Sequence, residues 1–207
     1  MADKYPCEYR NTWRDRREKK CILACVKLIA GGGRVLDLPC GTGRMTRLLV
    51  ERGYRVTAAD ISDAMLSRAR ENCRTYHQQV VNATAARFEA RDVLATGYQA
   101  DEFDGVTCIR LFHHFDDSAT RLRALTELGR ICKGTIVVTF LNSFALDRYT
   151  SWLKARLRGK KRLTQLPIPY KTFAADIRAA GLKIDKQIAA HWGISSRWFL
   201  ALSKRDN

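Results

Sequence analysis

The chain has 207 residues and a mass of 23.6 kDa, with 46% apolar and 28% charged residues, so it is long enough for one domain with a substantial core and is not a disordered tail. No run of eighteen apolar residues occurs, which excludes a membrane-spanning helix, and the apolar stretch Cys21–Ala30 carries Lys27 and follows a basic segment, unlike a signal peptide. The net charge of +16 is unevenly placed: residues 1–34 hold 9 basic and 4 acidic side chains, residues 35–140 hold 14 and 13, and residues 141–207 hold 14 and 4.

A near-neutral middle with basic ends fits an anionic partner, namely nucleic acid, an anionic membrane surface or a phosphorylated small molecule, or else a basic surface that serves solubility. The seven cysteines are odd in number and contain no Cys-x-x-Cys pair. They are read as reduced thiols of a cytoplasmic protein, neither a disulfide framework nor a zinc ribbon. The region has no helix-spaced histidine and carboxylate set, so no metal site is expected.

In chain order, residues 10–30 read as a helix with a basic outer face, ended by Gly31, Gly32 and Gly33. Arg34–Leu38 is a short apolar run of the kind found in buried parallel strands. Thr46–Arg52 reads as helix, Tyr54–Ala59 as strand, and Ser62–Arg74 as helix with Ser62 or Asp63 as its N-cap. Arg87–Ala90 and Phe103–Ile109 read as strands, Thr120–Ile131 as helix, and Thr135–Leu141 as a β-branched strand. Leu146–Leu157 reads as a further helix, Pro167 and Pro169 interrupt regular structure, and Phe173–Ala180 is a helix stopped by Gly181. Strands near Lys183–Ile188 and Arg197–Leu202 close the chain. The alternation predicts an α/β fold whose mostly parallel sheet is covered on both faces, in a single domain.

The densest chemical signal is Asp37-Leu38-Pro39-Cys40-Gly41-Thr42-Gly43, between the first strand and a helix. Gly41 and Gly43 permit a tight turn and close approach of a ligand to the backbone. Asp60 ends the second strand, where a carboxylate can accept hydrogen bonds from ribose hydroxyls. A dinucleotide site would place a third glycine at position 46, which is Thr46 here, and Asp37 in the loop would repel a pyrophosphate. A cationic cofactor would not be repelled, so the loop suits S-adenosylmethionine better than NAD.

These residues carry a resemblance that covers about four fifths of the chain. Residues 35–141 resemble the class I S-adenosylmethionine-dependent methyltransferases, and in particular the small-molecule group related to the ubiquinone and menaquinone biosynthesis enzymes. Asp37–Gly43 is similar to that family's cofactor loop and Asp60-Ile61-Ser62-Asp63-Ala64-Met65-Leu66 to its second motif. Arg91-Asp92-Val93 falls where the family places an acid on the adenine amino group, and Phe103–Phe115 resembles its fourth strand and the loop beneath the methionine end. Pro39 stands where many members have glycine. The resemblance implies a Rossmann-like seven-stranded, mostly parallel sheet with a C-terminal antiparallel hairpin. It implies cofactor contacts from Asp37, Pro39, Cys40, Gly41, Thr42, Gly43, Asp60, Ile61, Met65, Asp92, Val93 and Arg110. It also implies that residues 1–34 form a helical cover and residues 142–172 a basic substrate cover, with Tyr9, Trp13, Arg14 and His114 on the acceptor side.

Methyl transfer to a nucleophile that carries a proton calls for a base. His113 and His114 follow the fourth strand, at the end where reacting groups meet. Either can accept a proton or serve packing and capping, and His113 is preferred. Residues 148–162 hold seven basic side chains and no acid, with Trp152, Leu153 and Leu157 among them, a pattern that also suits peripheral contact with a membrane surface. The expected acceptor is a small molecule, anionic or lipid-linked. RNA bound on a basic rim is the alternative, and a protein that binds S-adenosylmethionine without transfer comes third.

Overall fold

A computed structural model of the chain describes residues 13–79, 86–144, 166–190 and 195–205. Its elements are α1 (Trp13–Val26), β1 (Arg34–Asp37), α2 (Arg44–Val50), β2 (Arg55–Asp60), α3 (Asp63–Gln79), β3 (Arg87–Ala90), β4 (Phe103–Cys108), α4 (Ser118–Ile131), β5 (Cys132–Leu141), α5 (Tyr170–Ala179), β6 (Leu182–Ala189) and β7 (Arg197–Lys204), with a 3-10 turn at Phe112–His114. The seven strands form one sheet in the order β3-β2-β1-β4-β5-β7-β6. Strands β1 to β5 pair in parallel, and β7 runs antiparallel to both β5 and β6. The expected α/β architecture with its closing hairpin is the one observed.

Side-chain alternation splits the core between the two faces of this sheet. Leu36, Leu38, Ile136, Val138, Phe140, Leu200 and Leu202 pack with Leu125 and Leu128 of α4 and Phe173 and Ile177 of α5. Val35, Val56, Val137, Phe199 and Ala201 point the other way, onto Ile22, Cys25 and Val26 of α1 and Leu48 and Leu49 of α2. Each large side chain buried here is worth about 1.5–3 kcal/mol of transfer free energy. Helices α4 and α5 are also tied by a buried ion pair, Arg121 Nε to Asp176 Oδ2 at 2.7 Å.

Element ends differ from the sequence expectation for local reasons. Helix α1 stops at Val26, short of the glycines, because Leu28 and Ile29 donate to carbonyls only three residues back and tighten the chain. Helix α2 starts at Arg44, since Gly43 (φ 81°) supplies a left-handed entry. Helix α4 starts at Ser118 behind Asp117, whose carboxylate accepts the Thr120 N–H at 2.7 Å. Strand β5 begins at Cys132, directly after α4, and α5 begins at Tyr170, behind Pro169. The helix expected at Leu146–Leu157, the basic segment 148–162 and Tyr9 lie outside the described residues. All six described cysteines are buried and free.

Candidate functional site

The turn after β1 is held by both neighbouring strands: Leu38 N donates to Thr107 O at 2.9 Å and Cys40 N to Ala59 O at 2.8 Å. Gly41 has φ 54°, and a Cβ added there would meet no atom within 4 Å, so this backbone faces open space. Gly43 is also left-handed, but a Cβ on it would stand 3.2 Å from Ala69 Cα and Cys73 Sγ of α3. The first glycine therefore leaves room for a ligand, while the second lets the loop sit tightly on a helix. Asn72 of α3 completes the clamp by donating to Thr42 O at 2.9 Å. The Leu38–Pro39 peptide is cis.

A cleft of about 320 Å³ opens at the carboxyl ends of β1, β2 and β4. Pro39, Cys40, Gly41 and Thr42 form one wall; Asp60, Ser62 and Met65 stand on a second; Ile109, Arg110, Leu111 and His114 close a third, with Arg44 and Met45 of α2 beside them. Volume and position match small-molecule sites at the strand ends of open α/β sheets. Asp60 is 6% exposed, and its Oδ2 and Oδ1 accept the Gly41 and Ser62 N–H groups, each at 2.9 Å. A carboxylate offers about four lone-pair sites, so both oxygens keep capacity for a pair of vicinal hydroxyls.

Several expected site residues lie elsewhere. Asp37 is fully buried under the loop and does not line the cleft: its carboxylate accepts the Thr46 hydroxyl at 2.7 Å and the Thr107 hydroxyl at 2.9 Å. Burial is the largest influence on it and raises its pKa to about 7, against the opposing pull of these hydrogen bonds. Asp37 thus braces the loop from beneath, through Thr46 and Thr107. Gly43 likewise serves packing, and Val93 belongs to the core. Asp92 is exposed and accepts the Leu94 N–H at 2.9 Å, and Ile61 is 72% exposed beside Asp60; neither lines the cleft.

The two histidines are placed differently. His113 is 5% exposed and does not line the cleft, because the 3-10 turn points it into the protein, where its carbonyl accepts the Leu166 N–H at 3.0 Å. His114 is exposed and lines the cleft, with its ring 4.2 Å from that of His113. Trp13 is 57% exposed, and the Arg14 side chain lies outside the described residues. Among the described residues no group of histidine, cysteine and acidic side chains could hold a metal ion, and no helix is long and apolar enough to cross a membrane. Burial, the largest influence, together with the neighbouring Asp37 and Asp60 carboxylates, pushes the Cys40 thiol well above its ordinary range, so it is not a reactive thiolate.

Sequence reasoning missed a charged cluster beside the cleft. Glu18 of α1 is 3% exposed and meets three guanidinium groups: Arg110 Nη2 at 3.0 Å to each oxygen, Arg197 Nη1 at 2.8 Å and Arg44 Nη2 at 3.5 Å. Burial alone would raise the Glu18 carboxyl, but Arg197, Arg110 and Arg44 together hold it below its ordinary value. The signal available in the sequence was one acid inside the run Arg16-Arg17-Glu18-Lys19-Lys20.

Residues 35–134 match the family described as "Methyltransferase domain". A curated relative, the ubiquinone biosynthesis O-methyltransferase of Methylococcus capsulatus, is 32% identical over 151 residues, which cover 73% of this chain and 60% of that protein. The protein of the same name from Xanthomonas axonopodis pv. citri is 30% identical over 165 residues, covering 77% of this chain and 66% of its own. The chain thus spans about three fifths of the length of the first of these relatives. Among solved structures, magnesium protoporphyrin IX methyltransferase from Synechocystis, with bound S-adenosylhomocysteine, superposes with a TM-score of 0.71 at 14% identity, covering 95% of this chain and 89% of that one. An S-adenosylmethionine-dependent methyltransferase from Clostridium acetobutylicum also gives 0.71, at 15% identity, with 91% of each chain covered. At such identities the structural likeness speaks to the fold.

Sheet order, glycine loop and strand-end carboxylate therefore define a Rossmann-like class I methyltransferase. The chain belongs to that family and is related to the ubiquinone biosynthesis O-methyltransferases. The open face of Gly41 and the spare acceptor capacity of Asp60 fit a nucleoside.

Proposed function

We propose that this chain transfers the methyl group of S-adenosylmethionine to a hydroxyl of a small molecule, one that is anionic or lipid-linked. The observation that carries the reading is a single cleft holding Gly41 and Asp60 on one side and His114 on the other. The O-methyltransferase names of the ubiquinone-pathway relatives support a hydroxyl as the attacking group. When bound, the cofactor supplies an electrophilic methyl group on a sulfonium.

The chain's own residues have positioning as their main task. Asp60 accepts the ribose hydroxyls, Gly41 lets the nucleoside lie against the backbone, and Met65 offers an apolar side chain within the cleft, with Ile61 and Asp92 outside it as rim residues on the adenine side. Alignment of the acceptor oxygen with the methyl group is worth about 7–11 kcal/mol when well oriented. His114 takes the proton from the acceptor hydroxyl, a contribution on the order of 10²–10⁴ in rate. The proposed membrane contact uses residues 148–162, which lie outside the described residues, and the RNA alternative uses the basic ends of the chain, of which that segment is one part.

The test is incubation with methyl-labelled cofactor and a cell extract, followed by separation into lipid, small-molecule, RNA and protein fractions. Label in the lipid or small-molecule fraction is expected. Label confined to RNA would replace the acceptor proposed here.

A further inference from the structure

Two described residues other than glycine have a left-handed backbone, Asp101 with φ 57° and Arg110 with φ 64°. Aspartate is among the residue types that tolerate this region, because its short side chain can bond locally. Arginine is not, so the surrounding structure must hold Arg110 there. The parallel ladder between β4 and β5 ends at the pair Cys108↔Val138. One residue further along β5, the Thr139 hydroxyl accepts the Arg110 N–H at 2.8 Å. Thr139 is 2% exposed, and its own backbone is fixed by pairing with Phe199 of β7. A buried side-chain oxygen, restricted in χ1 by β-branching, therefore takes the N–H just past the point where ladder pairing stops.

The turn at Arg110 decides what faces the cleft. In an extended strand successive side chains alternate between opposite faces, yet Ile109, Arg110 and Leu111 all line the cleft. Leu111 O then accepts the His114 N–H at 2.9 Å, which closes the 3-10 turn that brings His114 to the same cleft. The Arg110 side chain is anchored separately, on Glu18.

We propose that Thr139 is a positioning residue of the methyl-transfer site: its hydroxyl holds the left-handed turn at Arg110 and, through that turn, sets His114 against the acceptor. The part played by His114 rests on the function proposed above; the hold of Thr139 on the turn does not. Without the hydroxyl, the Arg110 N–H loses its partner and the residue relaxes toward the right-handed region that its Cβ favours. The turn that carries His114 moves with it.

The experiment compares Thr139→Val, which keeps the shape without the hydroxyl, with Thr139→Ser, which keeps the hydroxyl. Each is assayed below its unfolding midpoint for transfer of labelled methyl groups to a cell extract. Thr139→Val should transfer at least tenfold more slowly than the parent, and Thr139→Ser should recover most of the rate. Thr139→Val is then added to two backgrounds, Arg110→Gly and Arg110→Ala. Both remove the anchor on Glu18, but only glycine takes a left-handed backbone freely. The added substitution should slow transfer at least tenfold in the alanine background and less than twofold in the glycine background, while lowering the unfolding midpoint in both. Ring-proton NMR shifts of His114, assigned with His114→Asn, read the turn without any acceptor. They should move in Thr139→Val and return toward those of the parent in Thr139→Ser.

A folded Thr139→Val variant that transfers at the parent's rate overturns the proposal. Equal losses in the glycine and alanine backgrounds overturn it too, because Thr139 would then serve stability alone. If Thr139→Val does not fold, Thr139→Cys, whose thiol accepts only weakly, takes its place throughout. If the parent transfers no label, the methyltransferase reading fails and the His114 ring shifts decide alone: shifts that move with Thr139→Val and return with Thr139→Ser keep the hold on the turn, and unmoved shifts remove it.

Discussion

The Asp60 carboxylate accepts the Gly41 N–H at 2.9 Å, although the two residues lie 19 positions apart. The end of β2 is thereby tied to the glycine loop after β1. The same carboxylate that offers acceptors to a ribose also fixes the backbone against which the nucleoside would lie. Ser62 N holds its other oxygen, so the group arrives oriented before any ligand binds.

The positions of the two histidines predict separable effects. His114→Ala should lower methyl transfer from labelled cofactor by about 10²-fold or more, with S-adenosylhomocysteine affinity within twofold of the parent. His113→Ala should instead lower the unfolding midpoint, since its side chain is buried. Calorimetry, thermal unfolding and initial rates on both variants check this; equal rate losses in the two would remove His114 from the proton-accepting role.

Asp37 predicts a pH dependence of stability. Its folded pKa, about 7, lies above the ordinary carboxyl value of 3.8, so the folded chain holds a proton that the unfolded chain has released. The contribution is fully present below about pH 4, declines as pH rises, and is lost by about pH 7. Asp37→Asn keeps hydrogen-bonding partners for Thr46 and Thr107, which can turn their hydroxyls to suit. Urea unfolding from pH 4 to 8 should show a flatter profile for this variant than for the parent. Parallel profiles would mean that Asp37 is ionised throughout.

The buried pair between α4 and α5 predicts a large stability effect. Asp176→Ala leaves the Arg121 guanidinium, 6% exposed, without its carboxylate. Breaking one side of such a pair costs about 3–5 kcal/mol. An unfolding free energy lowered by less than a third of that would mean that water or Phe115 O, already 3.3 Å from Arg121 Nη1, compensates.

Much of this could be read in the sequence, and the limits have physical causes. Period-two and period-3.6 patterns revealed the strands and helices because each buries one face or both, and Gly41 with Asp60 marked the cleft because loop and strand-end acid follow the chain order of the fold. The burial of Asp37 was not legible because sequence adjacency to the loop does not say on which side of the strand a side chain falls; Thr46 and Thr107, its partners, lie 9 and 70 positions away. His113 and His114 were not separable because a 3-10 turn turns neighbours by about a third of a revolution. Glu18 escaped notice because its partners come from α2, the end of β4 and β7, and only the folded chain gathers them.

Cofactor choice gives a further prediction. Thr46 is buried and bound to Asp37, where a dinucleotide loop places its third glycine. NAD and NADP at millimolar concentration should leave the unfolding temperature unchanged, while S-adenosylhomocysteine raises it, as any ligand selective for the folded state does. Equal shifts would contradict the assignment of the loop.

The most direct test of the account is calorimetric titration of the parent and Asp60→Ala with S-adenosylmethionine. The variant removes the acceptor for the ribose hydroxyls and for Gly41 N–H and Ser62 N–H together, so affinity should fall by about 1–3 kcal/mol, or roughly 5- to 150-fold, in a protein that still folds. No binding by the parent, or equal binding by a folded Asp60→Ala variant, would contradict the site at its centre.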